Sequence, residues 1–129
     1  MRNSVFDLLH EHFAASVGGT EALVSGSGSR FRANRFSRFT AYHGNVAVGS
    51  NAEVAFHPPS LARSTGLTET TVRRTINLLR ASTGLETNFN LQHRWPRVGV
   101  STRNDAMLVI AFVQSMLAIA RARRSANDA

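Results

Sequence analysis

The sequence predicts a mainly helical α+β fold with a small β-hairpin. Three observations carry that expectation. Apolar residues recur at helical spacing near both ends of the chain; two short helical patterns meet at Gly66; and Leu85 to Leu91 alternates apolar with polar, as a strand does, before Val98-Gly99-Val100 can return antiparallel to it. The 129 residues suit one core with appendages. The hydrophobic share of 43% is that of a folded protein, and the absence of cysteine excludes disulfides and thiolate metal sites.

Charge narrows the function. The net charge is +7, and all 15 basic residues are arginine. Arginine presents a planar fork of donors that matches phosphate oxygens and guanine edges, so a surface rich in it favours nucleic acid. Genomic base composition accounts for part of the missing lysine but not for the net charge. The N-terminus leads into an amphipathic segment with Asp7, Glu11 and two histidines rather than an apolar run, so a cytoplasmic location is expected.

Taken in order, Val5, Phe6, Leu9, Phe13 and Val17 give one apolar face to a helix over 5–17, with Ser4 and Asp7 as a capping pair and Gly18-Gly19 as its stop. His10 and His12 are two apart, a spacing that does not place both on one metal, and they read as solvated surface residues. Thr20 to Val24 can add a helical turn. Ser25-Gly26-Ser27-Gly28-Ser29 reads as a flexible loop and lacks the lysine of a phosphate-cradling loop.

Residues 30–42 hold four arginines, four aromatics and no acid. On a helix, Arg35 and Arg38 fall three apart, as do Phe36 and Phe39, so a basic flank would run beside an aromatic seam. Core packing of the phenylalanines is the simpler reading, and Arg35 and Arg38 are then expected to reach phosphate from a first helix. Val46-Ala47-Val48 and Glu53-Val54-Ala55-Phe56 are β-prone, and Pro58-Pro59 sets up Ser60 as the cap of the next helix.

From Leu61 to Thr65 a short helix is expected, with Ala62 small enough for a close crossing. Gly66 supplies the turn, Leu67 plugs the corner and Thr68 caps a second helix over 69–81. Val72, Ile76 and Leu79 commit one face of it to the core. Thr70, Arg73, Arg74 and Asn77 then project outward, with Thr71 and Arg80 toward the flanks. These side chains suit the major groove: arginine for guanine, asparagine for adenine, threonine for phosphate or a thymine methyl.

The string Leu61-Ala62-x-x-Thr65-Gly66-Leu67-Thr68-x-x-Thr71-Val72-x-Arg74-x-Ile76-x-x-Leu79 resembles the helix-turn-helix of winged-helix regulators and plasmid replication initiators. The resemblance covers about residues 54–101. It implies a winged helix-turn-helix flanked by N- and C-terminal helices. Gly84-Leu85 would end the reading helix and Gln92 to Arg97 would form the wing. Thr70, Arg73, Arg74 and Asn77 would read bases, while Arg35, Arg38, Ser60, Thr68, Thr71, Arg80, Arg94 and Arg97 would contact phosphate. The implied organisation is an N-terminal helix and loop at 1–29, a DNA-binding domain at 30–101 and a C-terminal helix with a basic tail at 102–129.

That last helix, capped by Thr102 or Asn104, is apolar nearly all round from Ala106 to Ala120. An apolar run of this length falls short of the roughly 20 residues of a membrane span, so burial against a second copy is expected, with Leu108, Phe112, Met116 and Leu117 as the dimer contact. Arg121, Arg123 and Arg124 complement the helix dipole, the alternative being a tail that contacts DNA.

The sequence therefore points to a dimeric, sequence-specific binder of double-stranded DNA, a transcriptional regulator of repressor type from a bacterium, plasmid or phage. The alternative is a replication, partition or packaging factor, and a scaffold role would leave the outward face of 69–81 without a task. No cofactor, metal, membrane or small-molecule ligand is implied. An enzyme is not expected: His43, His57 and His93 with Asp105 or Glu53 show no motif spacing.

Overall fold

Leu9 and Phe13, one helical turn apart, are fully buried, and so are Val54, Val72, Ile76, Val98 and Val100 from later in the chain. One core therefore gathers residues from both ends. In the computed structural model, residues 4–16, 20–22, 28–32, 38–43, 52–83 and 96–128 are described. The order is α1 (Ser4–Ser16), β1 (Thr20–Ala22), β2 (Gly28–Arg32), β3 (Arg38–His43), β4 (Ala52–Phe56), α2 (Pro58–Thr65), α3 (Glu69–Thr83), β5 (Arg97–Val100) and α4 (Arg103–Asp128). The class is α+β with helices predominating. The helices together with the antiparallel β4–β5 pair are compatible with a winged helix.

The strands pair antiparallel in the order β1-β2-β3-β4-β5. Between β4 and β5 the chain makes the α2–α3 excursion, and β5 then returns with Val98 opposite Val54 and Val100 opposite Ala52. Alternation sends Ala52, Val54 and Phe56 into the helical core. Glu53 and Ala55 face the other way and are buried as well. Phe56 meets Phe112 of α4 edge to face, with ring centroids 5.0 Å apart.

α4 is the longest element. Ala106, Val109, Ile110, Phe112, Val113, Met116, Leu117 and Ala120 form its buried stripe, which packs against α1, α2, α3 and β5. Its start is a capping box: the Asp105 amide donates to Thr102 Oγ1 at 3.1 Å, and Asp105 Oδ2 accepts from the Ser101 and Thr102 amides at 3.2 and 3.3 Å. The helix outruns the apolar segment that marks it in the sequence. Among the described residues it is the one helix long and apolar enough to cross a membrane, and 44% of that stretch is buried within this chain.

Several local expectations are corrected. Residues 30–32 and 38–42 are strands, not a first helix: Phe31 pairs with Phe39 and Arg30 with Thr40. The alternation Arg30-Phe31-Arg32 matches a pleat, and it outweighs the three-residue spacings that suggested a helix. Thr20–Ala22 is likewise the edge strand β1 rather than a helical turn. Gly28 and Ser29 belong to β2. Pro58 and Pro59 begin α2 instead of preceding it, because the first turn needs no proline N–H; the cap is His57, whose Nδ1 accepts from the Ser60 amide at 3.3 Å. The expected strand over 85–91 and the wing from Gln92 to Trp95 lie outside the described residues.

Candidate nucleic-acid interface

The helix pair is fixed from both sides of its turn. Gly66 closes α2 in the left-handed region, φ 77°, where a side chain would be strained, and its amide donates to the Ala62 carbonyl at 2.9 Å. Thr65, buried, donates from Oγ1 to the Leu61 carbonyl at 2.6 Å and accepts from the Leu67 amide at 3.3 Å. The hydroxyl thereby serves both strands of the corner. Thr68 Oγ1 accepts from the Thr71 amide at 3.1 Å and so caps α3. Its hydroxyl also donates to Thr71 Oγ1 at 2.9 Å.

With Val72, Ile76, Leu79 and Thr83 turned inward, the outward surface of α3 follows from the helical period. Thr70, Arg73, Arg74 and Asn77 are all exposed on it. Arg73 is tied to Glu69 one turn back at 3.0 Å, an exposed pair of the kind worth about 0.3–0.5 kcal/mol. Such a pair orients the guanidinium without committing it. Arg74 has no ionic partner among the described residues. The set offers two forked cations, an amide and a hydroxyl within two turns of one helix face.

The expected phosphate contacts divide. Thr68 and Thr71 are exposed at the head of α3. Ser60 is half-buried and its hydroxyl donates to the His57 carbonyl at 3.0 Å, and Arg80 is half-buried on the helix flank. Arg38 opens strand β3, so the first-helix placement is withdrawn; Arg35 and Arg94 lie outside the described residues. Arg97 is half-buried in β5. Its Nη1 donates to Glu53 Oε2 at 3.2 Å, and the carboxylate is only 4% exposed. A buried carboxylate needs that partner, so the arginine belongs to the sheet rather than to a wing tip.

The dimer contact is also corrected. Phe112, Met116 and Leu117 are inside this chain's own core, because α1, α2 and α3 cover that side of α4. Leu108 alone of the four is exposed, beside Met107 and with Ile119 farther along. The histidines of α1 are half-buried, and His12 Nε2 lies 2.8 Å from Gln114 Nε2 of α4.

One residue escaped the sequence reading. Leu78 is 65% exposed on α3. Counting helical positions from Val72 and Ile76 puts it off the buried stripe, so the signal was present in the spacing. Of the groups considered for catalysis, His57 caps α2, Asp105 caps α4 and Glu53 is paired with Arg97. Among the described residues no three His, Asp or Glu side chains cluster as metal ligands would.

No family model, curated protein or solved structure matches the chain.

Proposed function

We propose that the chain is a sequence-specific double-stranded DNA-binding protein of winged-helix type that inserts α3 into the major groove. The observation that carries this is the outward face of α3: Thr70, Arg73, Arg74 and Asn77 exposed together on a helix held by a tight Gly66 turn. An α-helix fits the major groove, and these side chains match its donor and acceptor edges. A net charge of +7 supplies the attraction to phosphate that any such contact requires.

The role is that of a repressor-like regulator acting as a homodimer, since one helix reads few base pairs and two-fold pairing doubles the contact. In this proposal the dimer forms through Met107, Leu108 and Ile119, the exposed apolar residues of α4.

Selection of bound fragments from the source genome tests the reading, followed by titration of the recovered site with Arg74→Ala. Specific affinity is expected to fall by about 1–3 kcal/mol, with the preference relaxed at one base pair. Recovery of no enriched fragment, or an unchanged base preference in the variant, sinks the proposal.

A further inference from the structure

The C-terminal helix reaches back to the turn of the helix pair. The guanidinium of Arg123 donates from Nη1 to the backbone carbonyl of Arg63 in the last turn of α2. That carbonyl is one of those a helix end leaves without an internal partner. The same side chain lies against Gly66: a Cβ placed there would stand 3.0 Å from Arg123 Cδ and Nε. Glycine is thus required twice at this corner, once for its positive φ and once for the room the arginine occupies.

Arg63 and Arg123 are both exposed, and among the described residues neither is paired with a carboxylate. Two arginines therefore meet at one corner, the Arg123 guanidinium on the Arg63 backbone, and among the described residues no carboxylate neutralises either. Like charges so placed favour a bound anion. The corner stands immediately before α3, with Thr70 four residues beyond Gly66. When such a helix enters a major groove, the element ahead of it crosses the sugar-phosphate backbone at the groove edge.

We infer that Arg63 and Arg123 form a phosphate clasp for the DNA backbone, assembled from α2 and the distant C-terminal helix, which anchors the duplex independently of its sequence. The inference rests on the proposed DNA-binding role. It gives the basic tail a task beyond complementing the helix dipole, and makes α4 part of the interface.

The test is the salt dependence of binding by the full chain, measured on its selected duplex and on an unrelated one. Each phosphate contact contributes roughly 0.9 to the slope of log affinity against log salt concentration. Arg63→Gln, which leaves the Arg63 carbonyl and Gly66 untouched, is expected to flatten the slope by about 0.9 and to weaken both duplexes equally. Arg63→Gln with Arg123→Gln is expected to flatten it by about twice that, with the base preference set at Arg74 intact. A wild-type slope in Arg63→Gln overturns the clasp while leaving the reading helix standing. Absence of duplex binding by the wild-type chain overturns the DNA-binding role and the clasp with it.

Discussion

The exposed side chains of α3 include Thr70, Arg73, Arg74, Asn77 and Leu78; those of α4 include the apolar Met107, Leu108, Ala111, Ala118 and Ile119, with Gln114 and Ser115 between them and Arg121 and Arg123 beyond. Both helices bury a stripe in one shared core, α3 with three residues and α4 with seven. They differ in what they leave to the outside. A polar face with forked cations gains most from hydrogen-bonding edges and anions, whereas an apolar face gains most from being covered. In the proposed role the first of these faces meets a nucleic-acid groove and the second a protein. The comparison holds only if the outward residues are dispensable to folding, and the following substitutions probe that.

The largest effects are expected where the helices are alike. Ile76→Ala on α3 and Ile110→Ala on α4 each remove a buried side chain, and each is expected to destabilise the fold by about 2–5 kcal/mol. Urea denaturation monitored by circular dichroism reads both. A loss well below that range in one helix would mean that it can leave the core, and the two faces could then no longer be compared on equal terms.

The place where the helices meet should respond next. Gly66→Ala puts a side chain at φ 77° and against Arg123. A cost of about 1–2 kcal/mol is expected from the left-handed backbone alone. Replacing Arg123 by alanine as well should relieve the crowding but not the backbone strain, so a double variant as stable as the wild type would contradict this account. Thr68→Ala, which removes the cap of α3, is expected to cost about 1 kcal/mol. The cap acts on α3 alone, and hydrogen exchange should show its first turn opening while α4 stays protected.

How much of this was legible follows from the range of the forces. The α2–α3 pair rests on local chemistry: a glycine turn, a threonine cap and a four-and-three apolar spacing are all present within residues 61–79. The strands β2 and β3 rest on pairing with each other and with β4, which no local spacing reveals. Arginine and phenylalanine at intervals of three imitated a helix there, although the Arg-Phe-Arg alternation also fitted a pleat. The pairing of Arg97 is hidden for a related reason. Its partner Glu53 lies 44 residues away in sequence, and only the β4–β5 register joins them. On α4 the apolar run is plain, but which side faces α1, α2 and α3 depends on the whole fold, and so the burial of Phe112, Met116 and Leu117 is not legible locally.

The smallest effect on stability is expected on the outer face of α4, and it discriminates most between the two helices. Leu108 and Ile119 are 43% and 38% exposed, so serine at both positions removes only part of a buried side chain, and the monomer's stability should fall by no more than about 1 kcal/mol for each. Association should respond far more, because the same side chains would be fully covered in a dimer. Sedimentation equilibrium is expected to show the wild-type chain as a dimer and the double serine variant as a monomer of unchanged helix content. Asn77→Ser with Leu78→Ser on α3 supplies the counterpart: dimerisation should persist while duplex binding weakens. If instead the α4 variant keeps its dimer and the α3 variant loses it, the roles of the two outer faces are reversed, and the protein contact belongs to the helix assigned here to DNA.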